Sequence, residues 1–495
     1  NGDTDTLASI ENITGSNFND TLTGDANANV LDGGTGNDTL SGGAGNDTLT
    51  GGTGTDTVTF ASDGAGVTAN LQTNTATDGN GDTDTLSGIE NLTGSGFNDT
   101  LTGDTGANAL DGGAGNDTIS GGAGNDTITG GTGTDTVTFA NDTAGVTANL
   151  QTNTATDGNG DTDSLASLEN ITGSNFNDTI TGDTGANALD GSAGNDTISG
   201  GAGNDTITGG TGTDTVTFAS DAAGVTANLQ TNTATDGNGD TDTLASLENI
   251  TGSNFNDTLT GDANANVLDG GTGNDTLSGG AGNDTITGGT GTDTVTFASD
   301  AAGVTANLQT NTATDGNGDA DTLSGLENIT GSSFNDTLTG DTVANTLDGG
   351  AGNDTLSGGA GNDTLTGGTG TDTATFASDG AAVTVNLQGN TATDGNGDTD
   401  TLSSIENATG SNFNDTLTGD TNANVLDGGT GNDTLSGGAG NDTITGGTGT
   451  DTVTFASDGA GVTANLQTGS ATDGNGRSEE RRVGKECRPR WSPYH

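Results

Sequence analysis

From residue 1 to residue 476 the chain contains no lysine, arginine, histidine, cysteine, proline, tryptophan, tyrosine or methionine. Each absence excludes something. All six Lys and Arg residues follow residue 476, so the 66 acids before that point have no basic side chain to pair with. Nucleic acid and anionic membrane surfaces are excluded as partners, because both are met through Lys and Arg. The one cysteine, Cys487, lies in the tail, so disulfides contribute nothing to the rest. No apolar run approaches the roughly 20 residues that span a bilayer, so membrane insertion is not expected. No signal peptide is visible at Asn1, and the lack of an initiator Met is expected of a piece of a longer reading frame. Most general bases, covalent nucleophiles and oxyanion clamps are missing too. The Gly-rich runs lack the lysine of a phosphate loop. The span is therefore expected not to be an enzyme, any catalytic domain lying outside it. With 26% hydrophobic residues and a formal charge of −63, such a composition belongs to disordered chains unless a cation is bound.

What the chain has in abundance is repetition. The segment Asn-Gly-Asp at Asn1 returns at Asn80, Asn159, Asn238, Asn317 and Asn396, 79 residues apart each time. This divides the chain into copies 1–79, 80–158, 159–237, 238–316, 317–395 and 396–474, with a seventh opening at 475–476 and breaking off. Each copy holds two phenylalanines, such as Phe18 and Phe60. Residues 33–59 are three consecutive nonapeptides of the form GGxGxDxUx, with U apolar. The nine-residue register runs from Thr6 to Thr59, with apolar eighth positions Ile13, Leu22, Leu31, Leu40, Leu49 and Val58 and sixth positions Glu11, Asp20, Asn29, Asp38, Asp47 and Asp56. Residues 60–84 contain a period-two stretch, Val67, Ala69 and Leu71, that predicts a strand. The expectation for this segment is one wider coil, with a separate hairpin module as the alternative.

Glycine reaches positive φ at little steric cost, so GGxG lets the chain turn sharply. The last three residues of each unit favour an extended strand whose eighth side chain points inward. Two units make a coil of 18 residues, so Leu40 and Leu49 face each other from opposite sheets and each stacks on the residue 18 places away. The same stacking places Asp20, Asp38 and Asp56 on one side. Two unit charges about 5 Å apart at an effective dielectric near 20 repel by on the order of 3 kcal/mol. One buried Leu per nonapeptide, worth roughly 2 kcal/mol, cannot offset that together with backbone entropy. A cation with oxygen ligands is required, and calcium accepts six to eight oxygens from carboxylates and turn carbonyls.

Over residues 1–474 the chain resembles the RTX, or haemolysin-type, calcium-binding family in its tandem GGxGxDxUx units. The resemblance implies an all-β fold, a parallel β-roll or β-helix solenoid stabilised by several calcium ions. It also implies type I secretion to the cell exterior or cell surface. Carried onto this sequence, the family's ligand aspartates are Asp38, Asp47 and Asp56; Asp117, Asp126 and Asp135; Asp196, Asp205 and Asp214; Asp275, Asp284 and Asp293; Asp354, Asp363 and Asp372; and Asp433, Asp442 and Asp451. Asp20, Asp99, Asp178, Asp257, Asp336 and Asp415 hold the same position in units that lack the glycines. Asn29 is a weaker ligand there, and Ser192 replaces the second glycine of the turn leading to Asp196. The loop Asp78-Gly-Asn-Gly-Asp82-Thr-Asp84 has oxygen side chains at every second position, like the start of an EF-hand loop, but no closing bidentate Glu. A solvated acidic turn and a second calcium site both remain open for it.

Residues 477–495 hold every Lys, Arg, Pro, Cys, Trp, Tyr and His and read as the conceptual translation of a sequencing adapter, so they are set aside. The functional expectation is a calcium-binding structural or spacer region of a large secreted or cell-surface bacterial RTX protein, monomeric, with three regular coils and one wide coil per copy. The alternative is a surface in which rows of Thr and Asn, such as Thr35 and Thr53, engage ice or a polysaccharide.

Overall fold

The computed structural model describes residues 4–472 and the backbone of 478–480. Residues 475–495, where the seventh copy and the adapter-like tail are expected, lie outside the described residues, apart from Ser478–Glu480, which runs antiparallel to Ser470–Thr472. Every element is a short β-strand. The chain forms two compact units, residues 1–251 and 252–495.

In the first unit the regular nonapeptides wind as expected of a parallel β-roll. Strands Asn12–Thr14, Val30–Thr35 and Thr48–Thr53 stack in parallel, with Ile13 on Leu31 and Leu31 on Leu49. Thr21–Thr23, Thr39–Ser41 and Thr57–Thr59 form the opposite sheet, with Leu22 on Leu40 and Leu40 on Val58. Threonine flanks each inward residue because a β-branched side chain suits a pleated surface with one wet face. Leu31, Leu40, Leu49 and Val58 are fully buried, so one apolar residue per nonapeptide builds the core of these regular coils.

Residues 60–84 form neither a wide coil nor a separate module. Thr68–Asn70, Thr75–Thr77 and Thr83–Ser87 make an antiparallel meander inserted into one sheet of the roll. Its last strand lies parallel on the preceding coil, Leu86 over Leu49. Its first strand carries the next coil, Leu101 over Ala69. Val67, Ala69 and Leu71 all point inward, as the period-two pattern predicts, together with Ala76 and Phe60. Asn74, at φ 58°, makes the left-handed turn between the first two strands. The other phenylalanine of the first copy, Phe18, stays exposed at 78%.

The meander counts as one passage through a sheet, so a copy crosses the roll an odd number of times, three and a half coils rather than four. Successive meanders therefore alternate sides. In the second copy Leu165 lies over Ile128 in the sheet of Val58, and in the third Leu244 lies over Ile207 in the sheet of Leu49. The second unit repeats the pattern by itself. Its coils stack Leu259, Leu277 and Val295 in one sheet. The fourth copy's meander joins the opposite sheet through Ile286 and Leu323, and the fifth copy's returns to the first through Leu365 and Leu402.

Candidate metal centre

The sixth residue of each nonapeptide ends the glycine turn, where the chain swings into its strand, and burial follows from that position. Asp38, Asp47 and Asp56 are 1, 2 and 0% exposed. Each uses Oδ1 to accept the backbone N–H of the residue one coil before it: Asp20 N to Asp38 at 2.8 Å, Asn29 N to Asp47 and Asp38 N to Asp56 at 2.7 Å. The predicted side-by-side stacking of acids is thus a hydrogen-bonded ladder that runs up the roll.

Oδ2 is another matter. In each of the first five copies the three aspartates of the glycine-rich turns leave Oδ2 buried with no hydrogen-bond partner among the described residues, and so does Asp433. A buried carboxylate oxygen without a partner costs far more than an exposed one, and its repetition at these sixteen aspartates calls for a common physical cause, which a cation with oxygen ligands would supply. The surroundings are all oxygen. A Cβ placed on Gly112 would meet both Asp117 Oδ2 and the Gly130 carbonyl oxygen, and Gly191, Gly270 and Gly349 open the same cradle before Asp196, Asp275 and Asp354. Only glycine leaves that space empty. Among the described residues no three acidic side chains converge as a ready-made cage. A cation here would draw on turn carbonyls as well as carboxylates, the mixed oxygen set that suits calcium.

Burial pushes Asp117, Asp196, Asp275 and Asp354 up to about 6 and Asp126 up to about 7. Neighbouring carboxylates add to the rise, against a backbone N–H that favours the ionised form.

The remaining predicted aspartates divide from these. Asp99, Asp178, Asp257, Asp336 and Asp415 each accept a serine N–H on Oδ2 and the same serine's hydroxyl on Oδ1, as in Ser95 to Asp99 at 2.5 and 2.8 Å. Asp20 makes the same two bonds with Ser16. These carboxylates already have donors, and they begin the ladder instead of adding an open oxygen. Asp442 and Asp451 continue the ladder at the far end, accepting from Asn424 and Asp433 at 3.0 and 3.1 Å. Asn29 is no open oxygen either: its Oδ1 takes the Asp25 N–H at 2.7 Å and its Nδ2 donates to the Glu11 carbonyl at 3.2 Å. Ser192 keeps its turn by adopting φ 73°, and Asp196 stays buried behind it.

Two positions outside the predicted ligand set also join the ladder. Glu90 Oε2 accepts the Asp56 N–H at 2.8 Å, so the glutamates that open each copy take the ladder position of an aspartate. Asp84 Oδ1 accepts the Asp47 N–H at 2.9 Å. The signal for Asp84 is the string Asp84-Thr-Leu86, the same Asp-Thr-Leu that closes Asn46-Asp47-Thr-Leu49. The Thr rows are short: Thr35 stacks on Thr53 and donates to Asn17 at 3.2 Å before the meander interrupts the row.

A family profile described as RTX calcium-binding nonapeptide repeat (4 copies) matches residues 5–58 and 84–137 in overlapping hits. Further hits fall within 169–216, 248–295, 339–374 and 400–453, so the matches cover more than half of the chain. The chain belongs to the RTX calcium-binding repeat family. No curated protein matches it. In this RTX chain calcium is the ligand, and the repeats form an all-β, parallel-stranded structural region.

Proposed function

We propose that the chain is a calcium-stiffened spacer of a larger secreted or surface-attached bacterial protein, in which calcium is held by the sixth-position aspartates of the glycine-rich turns. Asp38, Asp47, Asp56 and their equivalents through Asp433 are the carboxylate donors, and first-glycine carbonyls such as Gly130 O complete the shell. The observation that carries this is the row of buried Oδ2 atoms without partners, one in each glycine-rich turn of the first five copies and one at Asp433. A cation between successive turns neutralises the acids that the core is too thin to hold together. If each site binds with the 10⁻⁴ to 10⁻³ M constants of extracellular modules, millimolar calcium adds up to about 1.4 kcal/mol per site. Near-identical copies suit a region whose length matters more than any one surface, and the secretion route belongs to this reading through the family.

The test is far-UV circular dichroism of the chain titrated with calcium, with magnesium as control. A cooperative change to β-sheet specific to calcium is expected. A spectrum that stays disordered at several millimolar calcium would overturn the reading.

A further inference from the structure

The loop Asp78–Asp84 replaces a glycine turn. Thr83 N donates to Asn46 Oδ1 at 2.8 Å, as Thr55 N donates to Asn37 in a regular coil at 3.1 Å. Asp47 N donates to Asp84 Oδ1, as Asp38 N donates to Asp56 Oδ1, and Thr85 N returns to the Asp47 carbonyl at 2.8 Å. Gly45 N adds a bond to Asp82 Oδ2 at 2.9 Å. The loop therefore lies on the turn Gly42–Asp47 where the next nonapeptide turn belongs, although 37 residues rather than 18 separate Asp47 from Asp84. Its spacing, Gly79-Asn-Gly81-Asp-Thr-Asp84, departs from GGxGxD, and the family match in this copy begins only at Asp84.

Two observations point to a ligand between loop and turn. Asp47 is 2% exposed, and its Oδ2 has no partner. Asp84 is 1% exposed, and only its Oδ1 receives a hydrogen bond. No Lys, Arg or His occurs in residues 1–476 to pair with either carboxylate. The same arrangement recurs at Asp126 with Asp163 and at Asp205 with Asp242. It recurs again at Asp284 with Asp321 and at Asp363 with Asp400.

Resting on the reading that the open Oδ2 atoms are calcium ligands, we propose that each meander loop carries one further calcium site, with Asp47 and Asp84 as its carboxylate donors and Asp78 and Asp82 as the acidic rim. The meander then continues the metal column instead of breaking it, and Asp163, Asp242, Asp321 and Asp400 play the part of Asp84 in the later copies. All donors are oxygens, which selects calcium over softer metals. Magnesium is disfavoured because it demands a rigid octahedron and keeps its waters.

The experiment counts calcium ions on the full chain by native mass spectrometry at saturating calcium. The parent is compared with Asp84→Asn and with the fivefold variant that adds Asp163→Asn, Asp242→Asn, Asp321→Asn and Asp400→Asn. Asparagine keeps the oxygen that accepts the Asp47 N–H, so the ladder bond survives. One ion fewer is expected for the single variant and five fewer for the fivefold variant. An unchanged count overturns the proposal while leaving the regular sites standing. A parent that binds no calcium overturns the broader reading first. If the fivefold variant fails to fold by circular dichroism, single variants at each of the five positions give the same count one site at a time.

Discussion

Every glycine that opens a regular turn lies against the Oδ2 of its aspartate, and Gly112 lies against a carbonyl oxygen as well. Gly112 has no unusual φ, so an alanine is allowed by its backbone, but the new methyl would enter the space shared by Asp117 Oδ2 and the Gly130 carbonyl oxygen. Gly112→Ala should cost about 1–3 kcal/mol and raise the calcium concentration needed for folding. Gly96→Ala, where a Cβ meets nothing within 4 Å, should leave the calcium midpoint unchanged. Equal midpoints for the two variants in a dichroism titration would count against the cradle.

A strand of three residues contributes one side chain to the core, so each element depends on its neighbours one coil away. Ile119 is fully buried and stacks between Leu101 and Val137. Ile119→Ala should cost about 2–5 kcal/mol. The array is nearly one-dimensional, so the loss should stay local. Hydrogen exchange in calcium should show amides of residues 100–138 losing protection while those of residues 21–41 keep theirs, and loss spread evenly over both stretches would refute it. The meander obeys the same rule. Its small inward residues, Ala69 and Ala76, let two extra strands join one sheet without a matching pair opposite.

The balance for each unit as a whole is set by charge. Asp117 and Asp196 stand at about 6 and Asp126 and Asp84 at about 7 when folded without metal, against 3.8 for an ordinary aspartate. Between those values the folded chain binds more protons than the unfolded chain, so metal-free stability falls as pH rises from about 4 to 7. In a chelator, acidification from pH 7.5 to 5 should therefore raise β-sheet content, whereas in millimolar calcium the sheet should be present at pH 7.5. A chelated chain whose dichroism is the same at both pH values would show that the buried carboxylates do not control folding.

The sequence by itself determined the coil, its register, the inward eighth residues and the oxygen-only chemistry, because these depend on contacts within nine residues or at a fixed step of 18. Glycine spacing and β-branched alternation are local properties, and a lone acidic charge sign leaves no other counter-ion. Only the tertiary structure decided which aspartates keep an open oxygen. Asp99 and Asp117 share a sequence position, yet a serine four residues before Asp99 fills its carboxylate and a glycine leaves that of Asp117 bare. The meander was likewise beyond local reading, since Leu86 rests on Leu49 across 37 residues and Leu92 on Val58 across 34. Those two steps are fixed by which backbone edge is open when the chain returns, and the turn that brings Asp84 over Asp47 follows from the pairing of whole strands.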